Sequence, residues 1–483
     1  MAVRRRTVIR VLLRALALVA AAALAVATVA AAALVPWPDH RNEAPSELVQ
    51  PAESRQLRVC PGPLLSLGED ATAATTASSV GPADVVTATE PADAALEQVP
   101  LEAPGNPNAA QDGTPVAIAA EPGGVDAGML GGAQSQSVST ETLRGFAAAA
   151  CGEAVADAWL VAGATNLGRS GLVLLSNPTA VAATVDVRVV GEAGAVEAPS
   201  ALGIIVPAGS QRVLSLAGLA PNLVSPVVHV TSTGGAIAAT LEQSTIVGLA
   251  PAGMELTGTT AAPATTQVIP GLVVPQSGGV EAVEDHADGD DFPIVRLFAP
   301  GNAPVDVSIG VVPEGGSGGS TIEATLDPGR TLDVPLGVLD AGSYTVRVEA
   351  DAPVVAAARA SVGGTEGLTD AAAPSDFAWT VATAPLLDSA VVAVPPGPSA
   401  TLHLVNPAGA DAEVTLTLDG QERTVAVPAA GATSVPLAGA SSAVLSGTQG
   451  LHATVSFDGP DELSSFGVQP PGPLDSPIRV YPN

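Results

Sequence analysis

The sequence predicts an all-β protein: tandem Ig-like β-sandwich domains after an N-terminal transmembrane helix and a disordered acidic spacer. Three observations lead there. Short apolar and alternating segments recur along the C-terminal two thirds, each closed by a Pro or Gly turn. Gly 51 and Pro 43, in a chain of 483 residues, argue against long helices beyond the N-terminus. Aromatic residues are only 2%, so the core must be built from Ala, Val, Leu and Ile.

The N-terminus sets the compartment. Residues 1–14 form a basic tip carrying Arg4, Arg5, Arg6, Arg10 and Arg14, and residues 15–35 follow without a charge. As a helix those residues would be about 32 Å long, the thickness of a bilayer core. Positive charge ahead of the span keeps the tip in the cytoplasm and sends the remainder outside. The rival reading is a cleaved signal peptide, since Ala31-Ala32-Ala33 fits a small-residue cleavage site. The expected location is therefore a single-pass cell-membrane protein with its C-terminal part extracytoplasmic, or a secreted one if the segment is cleaved.

Beyond residue 35 the chain carries 13 Arg against 48 acids, and no lysine occurs anywhere. That balance excludes nucleic acid as a partner, because phosphate binding needs a basic surface. The missing lysine excludes P-loop and Schiff-base chemistry. Two cysteines, Cys60 and Cys151, read as one disulfide in an exported chain.

Residues 36–145 are expected to be an acidic low-complexity spacer with a short strand near Cys60. No basic residue lies between Arg58 and Arg144, while eleven acids do. Such a composition buries too little apolar surface to offset its ordering entropy. After it the repeat emerges, giving β-sandwich 1 over 146–262, β-sandwich 2 over 263–372 and β-sandwich 3 over 373–483.

Each repeat opens on an apolar strand ended by Pro: Leu172 to Pro178, Val295 to Pro300 and Leu402 to Pro407. An alternating strand follows, at Val185–Val189, Val305–Ile309 and Val414–Leu418. A turn leads to a third strand, at 213–216, 332–336 and 433–437. The closing strands are expected at Val227–Val230, Tyr344–Val348 and His452–Val455. Trp159 and Trp379 sit in similar settings before the first and third repeats, where filling an Ala-rich core is favoured over a glycan-stacking platform. Gly315 to Ser320 reads as a flexible hairpin loop.

Several of these residues resemble one family. Cys151, Trp159, Gly163-Ala164-Thr165 and Gly168-Arg169 look like its signature, and Leu174 to Pro178, Val206 to Gly209 and Val295 to Gly301 fit the same pattern. It is number 5719 among the domains of unknown function, an actinobacterial family of exported or membrane-anchored envelope proteins. The resemblance covers about Leu57 to the C-terminus. It implies location, the cysteine pair and actinobacterial origin, and supplies no activity or catalytic residues.

No chemistry-bearing motif stands out. The five histidines, His40, His229, His286, His403 and His452, form no H-x-H or H-E-x-x-H pattern, and the last two together with His229 are expected at surface positions of strands. No catalytic, cofactor-binding or metal residue is assigned, although a triad assembled from distant strands needs only geometry. The acidic run 281–291 could ligate calcium but reads better as a solvated linker. The expected function is a non-catalytic extracytoplasmic envelope protein presenting Ig-like domains for protein contacts. Its partners would be envelope proteins or cell-wall components, with membrane attachment through the N-terminal helix only and no cofactor. The alternatives are a cell-wall glycan-binding module and an exported hydrolase with a composite site.

Overall fold

The computed structural model describes residues 2–34, 47–49, 55–68, 76–275, 292–316, 318–363, 376–437, 439–471 and 478–480. The acidic run 281–291, His40 and His286 lie outside the described residues. The chain divides into two compact units: Met1–Pro51 with Pro477–Asn483, and Ala52–Ser476.

The smaller unit holds helix α1 (Ala2–Leu34) and strand β1 (Glu47–Val49), which pairs antiparallel with Ile478–Val480. The expected span is thus helical through Leu34. Among the described residues, no helix is long and apolar enough to cross a membrane.

Among its described residues the larger unit is β throughout, apart from two single helical turns and one 3-10 turn. Its strands fall into four consecutive sets. The first comprises β2 (Gln56–Cys60), β3 (Leu65–Leu67), β4 (Ala77–Ser79), β5 (Asp84–Thr89), β6 (Glu97–Pro100), β7 (Val116–Ala120), β8 (Leu130–Ser139) and β9 (Arg144–Ala150). They form sheets β2-β7-β6, β3-β4 and β5-β8-β9. The second comprises β10 (Asp157–Val161), β11 (Arg169–Asn177), β12 (Ala183–Gly191), β13 (Gly194–Ala195), β14 (Ile204–Val206), β15 (Ser210–Ser215), β16 (Val227–Gly234), β17 (Ala238–Val247) and β18 (Ala250–Thr257).

The third set is β19 (Ala264–Val274), β20 (Ile294–Phe298), β21 (Val305–Pro313), β22 (Ser320–Leu326), β23 (Thr331–Pro335), β24 (Gly342–Val362) and β25 (Asp376–Val381). The fourth is β26 (Ser389–Ala393), β27 (Thr401–Asn406), β28 (Ala412–Leu418), β29 (Gln421–Val427), β30 (Gly431–Pro436), β31 (Ser442–Ser446), β32 (His452–Asp458) and β33 (Leu463–Val468).

The last three sets share one plan. An outer sheet runs β10-β16-β12 with β13 and β14, then β19-β24-β21-β22, then β26-β31-β28-β29. An inner sheet runs β15-β11-β17-β18, then β23-β20-β24-β25, then β30-β27-β32-β33. In the third set the single long strand β24 serves both sheets: its first half pairs with β19 and β21, its second with β20 and β25.

Burial explains why the two sheets read differently in sequence. Outer strands β12, β21 and β28 alternate between buried and open positions, because one face meets water. Inner strands β11, β20 and β27 are buried almost continuously. Val173 and Leu175 of β11 pack into the core of their own set, whereas Leu172 and Leu174 pack with Ala147 and Ala149 of the first set. The inner sheet is therefore covered on both faces.

Three expectations need correction. The described residues of the stretch expected as a spacer form strands β2 to β8 from Gln56 onward. Its low apolar content is offset by buried glutamines that satisfy the neighbouring backbone. Gln134 exchanges two hydrogen bonds with Gly62, at 3.0 and 2.6 Å, and Gln136 accepts from the Leu64 N–H at 2.9 Å. The domain edges also differ. β9, at the start of the expected first sandwich, pairs with β8, and β25, at the start of the expected third, pairs with β24.

The closing strand of the last repeat is displaced by one. His452–Val455 lies in β32 and pairs with β27, so its counterpart is β17; the partner of β28, and the counterpart of β16, is β31. Short apolar strands on either side of a turn look alike in sequence, and only their pairing tells which sheet each enters.

Candidate functional site

Four strands occupy the inner edges of the inner sheets: β9, β18, β25 and β33. β9 packs against β18 and β33, and β25 packs against both of those as well, so the four sets close into a ring. Each strand carries, at or near its start, an equivalent pair of residues: Gly145-Phe146, Gly253-Met254, Asp376-Phe377 and Glu462-Leu463. All four second residues donate their backbone N–H to one carboxylate, that of Asp376. Phe146 and Leu463 reach Oδ2 at 2.8 and 3.2 Å; Met254 and Phe377 reach Oδ1, both at 3.0 Å.

Asp376 is 0% exposed. Burial pushes its carboxyl well above the usual range, and the four N–H donors pull part of that back. Gly145 and Gly253 make room for it. A Cβ at Gly145 would stand 2.7 Å from Oδ1 and one at Gly253 3.0 Å, and both glycines have positive φ. One step along the axis, Glu255 Oε1 accepts from Ser464 Oγ at 2.8 Å, and Ser464 Oγ accepts from the Ala148 N–H at 2.9 Å. Burial, and to a lesser degree the Asp376 charge, push Glu255 up as well.

A second cluster joins the third and fourth sets. His403 Nδ1 lies 2.6 Å from Glu314 Oε2, and its Nε2 lies 2.8 Å from Ser456 Oγ. Burial alone would raise the Glu314 carboxyl. The hydrogen bond and charge of His403, with bonds from Ser434 and the Gly271 N–H, outweigh it and hold the group below its ordinary value. Carboxylate, imidazole and hydroxyl in this order are the parts of an acyl-transfer triad. Here the chain is sealed: His403 is 0% exposed, Ser456 is buried, and the space beside Ser456 is too small to admit water.

The equivalent strand positions explain this placement. Aligned on the prolines that end β11, β20 and β27, the residues Leu174, Arg296 and His403 correspond. Each reaches into the preceding set. Leu174 packs on Ala147 and Ala149; Arg296 donates to the carbonyls of Gly163 (2.7 Å), Pro226 (3.1 Å) and Val224 (3.0 Å) while paired with Asp333; His403 meets Glu314.

At the other end of the inner strands lies a cavity of about 320 Å³. All four sets line it, through Cys151 and Gly152 after β9, Gly258 after β18, Trp379 on β25 and Gln469 after β33. It opens beside exposed residues such as Asp157 and Leu387.

Cys60 and Cys151 form the expected disulfide, linking β2 to the end of β9. Trp159 and Trp379 are 8% and 2% exposed, so both fill the core. Trp159 stacks on His229 at 3.9 Å, and Arg296 covers Trp379 at 4.5 Å. The expectation that His403 and His452 face solvent is corrected: both are buried, because an inner sheet has no solvent face. His452 Nδ1 meets the Thr383 carbonyl at 2.8 Å, and burial lowers its pKa. Asp376, Glu314 and Ser456 carried no sequence signal. A polar residue in the middle of an apolar strand, as at Arg296 and His403, was the one available.

A family model described as "Family of unknown function (DUF5719)" matches residues 107–446. No curated protein matches the chain. Among solved structures, Thermotoga maritima 1070 aligns over 25% of this chain and 92% of its own, at 16% identity and a TM-score of 0.18. A 1.5-MDa bacterial ice-binding adhesin aligns over 66% and 98%, at 12% identity and a TM-score of 0.11. A Ca2+-stabilized adhesin of an Antarctic bacterium aligns over 88% and 100%, at 12% and 0.11.

Proposed function

From a chain that belongs to the DUF5719 family, a family of unknown function, we propose a non-catalytic extracytoplasmic envelope protein that presents Ig-like two-sheet units for protein contacts at the cell surface. The observation that carries this reading is the closed ring: four sets of sheets share buried inner faces, which leaves a rigid body whose outer sheets are its display surface. The triad-like cluster supports it by being closed to substrate. The basic tip ahead of the uncharged run 15–35 supports export. The glycan-binding alternative is weakened because both candidate tryptophans are buried beneath other side chains.

The test is protease treatment of intact cells expressing the chain with a C-terminal tag, combined with capture of envelope components on the purified protein. The reading predicts loss of the tag on intact cells, and a saturable protein partner whose capture survives Ser456→Ala. A tag shielded until lysis would contradict the location. Turnover of an envelope glycan or peptide that Ser456→Ala abolishes would establish the hydrolase instead.

A further inference from the structure

We infer that the axial cavity is a binding site for an uncharged, largely apolar small molecule that presents one hydrogen-bond acceptor to Arg58. This does not rest on the protein-contact reading.

At about 320 Å³ the cavity has the size of a small-ligand pocket rather than of a packing defect. Several of its polar groups are already engaged. Thr260 Oγ1 donates to the Ala356 carbonyl at 2.8 Å, Trp379 Nε1 donates to Gln243 at 2.9 Å, and Gln469 Oε1 accepts from the Ala384 N–H at 3.1 Å. Asp157 meets His229 at 3.0 Å. Arg58 differs. It is 8% exposed, it donates to the Leu57 carbonyl at 3.0 Å, and Glu153 stands 3.8 Å away, beyond hydrogen-bond reach. A guanidinium carries five N–H donors, so several remain for an acceptor on a ligand.

Charge decides the ligand class. The Glu153 carboxylate already compensates the Arg58 cation, so an anionic ligand would enter without a counter-charge of its own. An apolar body with a single carbonyl or ether oxygen satisfies the site. The ring geometry supplies the enclosure, since each of the four sets contributes wall.

The test uses the full chain and prodan, a neutral naphthalene ketone, followed by its emission and by quenching of tryptophan fluorescence. Gly258 offers a way to fill the cavity: a Cβ there meets nothing within 4 Å and its backbone is not in the left-handed region. Gly301, also open, is the control. Saturable binding of one prodan per chain is expected, at least tenfold weaker in Gly258→Leu and unchanged in Gly301→Leu. Any uptake by α1 is common to all three proteins. Arg58→Leu should weaken prodan while leaving naphthalene, which lacks an acceptor, unaffected. No saturable binding, or equal binding by Gly258→Leu with an unchanged melting temperature, would overturn the site. Tighter binding of anionic anilinonaphthalene sulfonate than of prodan would overturn the ligand class.

Discussion

The Asp376 carboxylate accepts a hydrogen bond at 2.8 Å from the backbone N–H of Phe146, 230 residues earlier in the chain. That bond joins the first set of strands to the third across the axis of the ring. Around it the first and fourth sets also meet, where Ser135 Oγ donates to the Pro396 carbonyl at 2.6 Å and Ala148 N–H to Ser464 at 2.9 Å. The body is closed by contacts between its sequence ends, not strung out as independent modules.

Removing the hub should be severe. Asp376→Ala leaves four buried N–H donors without an acceptor and is expected to cost at least about 4 kcal/mol. Asp376→Asn turns an amide donor toward two of those N–H groups, so it should rescue little. Gly145→Ala and Gly253→Ala should each destabilise the same point by steric overlap. Urea unfolding of the four variants checks this, and a change below about 1 kcal/mol for Asp376→Ala would contradict the role.

Stability should depend on pH in an unusual direction. Burial raises Glu242 to about 8, and raises Glu255 and Asp376 well above their ordinary values. A carboxyl with a raised folded pKa holds more protons folded than unfolded, so stability falls as pH rises from about 4.5 through 8. Glu314, held low, works oppositely and loses its contribution only as pH falls through its depressed folded value. His452, held low by burial, opposes this below its ordinary 6.5, but it is one group against three raised carboxyls, so the melting temperature should be higher at pH 5 than at pH 8. Glu242→Gln keeps the acceptor for the Leu65 N–H (2.9 Å) and should flatten that slope.

Ser456 should be chemically silent despite its imidazole neighbour. A fluorophosphonate probe requires access to an activated serine, and Ser456 is buried with no adjoining space for water. Incubation with the folded protein followed by mass spectrometry should find Ser456 unmodified. Labelling there, lost in His403→Ala, would make the cluster a catalytic one.

The disulfide ties β2 to the end of β9 across a sequence separation of 91 residues. On the chain-entropy account its loss costs about 4–5 kcal/mol. A Cys60→Ala, Cys151→Ala double variant should unfold at correspondingly lower urea, as one transition, because the cores of the second and fourth sets include first-set residues such as Ala147 and Phe146.

How much of this was legible follows from which faces are wet. The strands containing Leu174, Val187, Leu297, Val307, Leu404 and Leu416 were readable, because apolar runs and period-two alternation are local. The ring was not. Phe146, Met254, Phe377 and Leu463 share a role only through backbone N–H groups, which leave no trace in residue identity. The first set was missed because Ala, Gly, Ser and Gln there are buried by partners distant in sequence. His403 was misplaced for a related reason: a strand position reads as solvent-facing until a second sheet is known to cover it.

The most direct test of the closed ring is small-angle X-ray scattering on residues 52–476 in solution. A single compact body of that length should give a radius of gyration of roughly 22 Å. A value above about 30 Å, as for modules arranged end to end, would contradict the account.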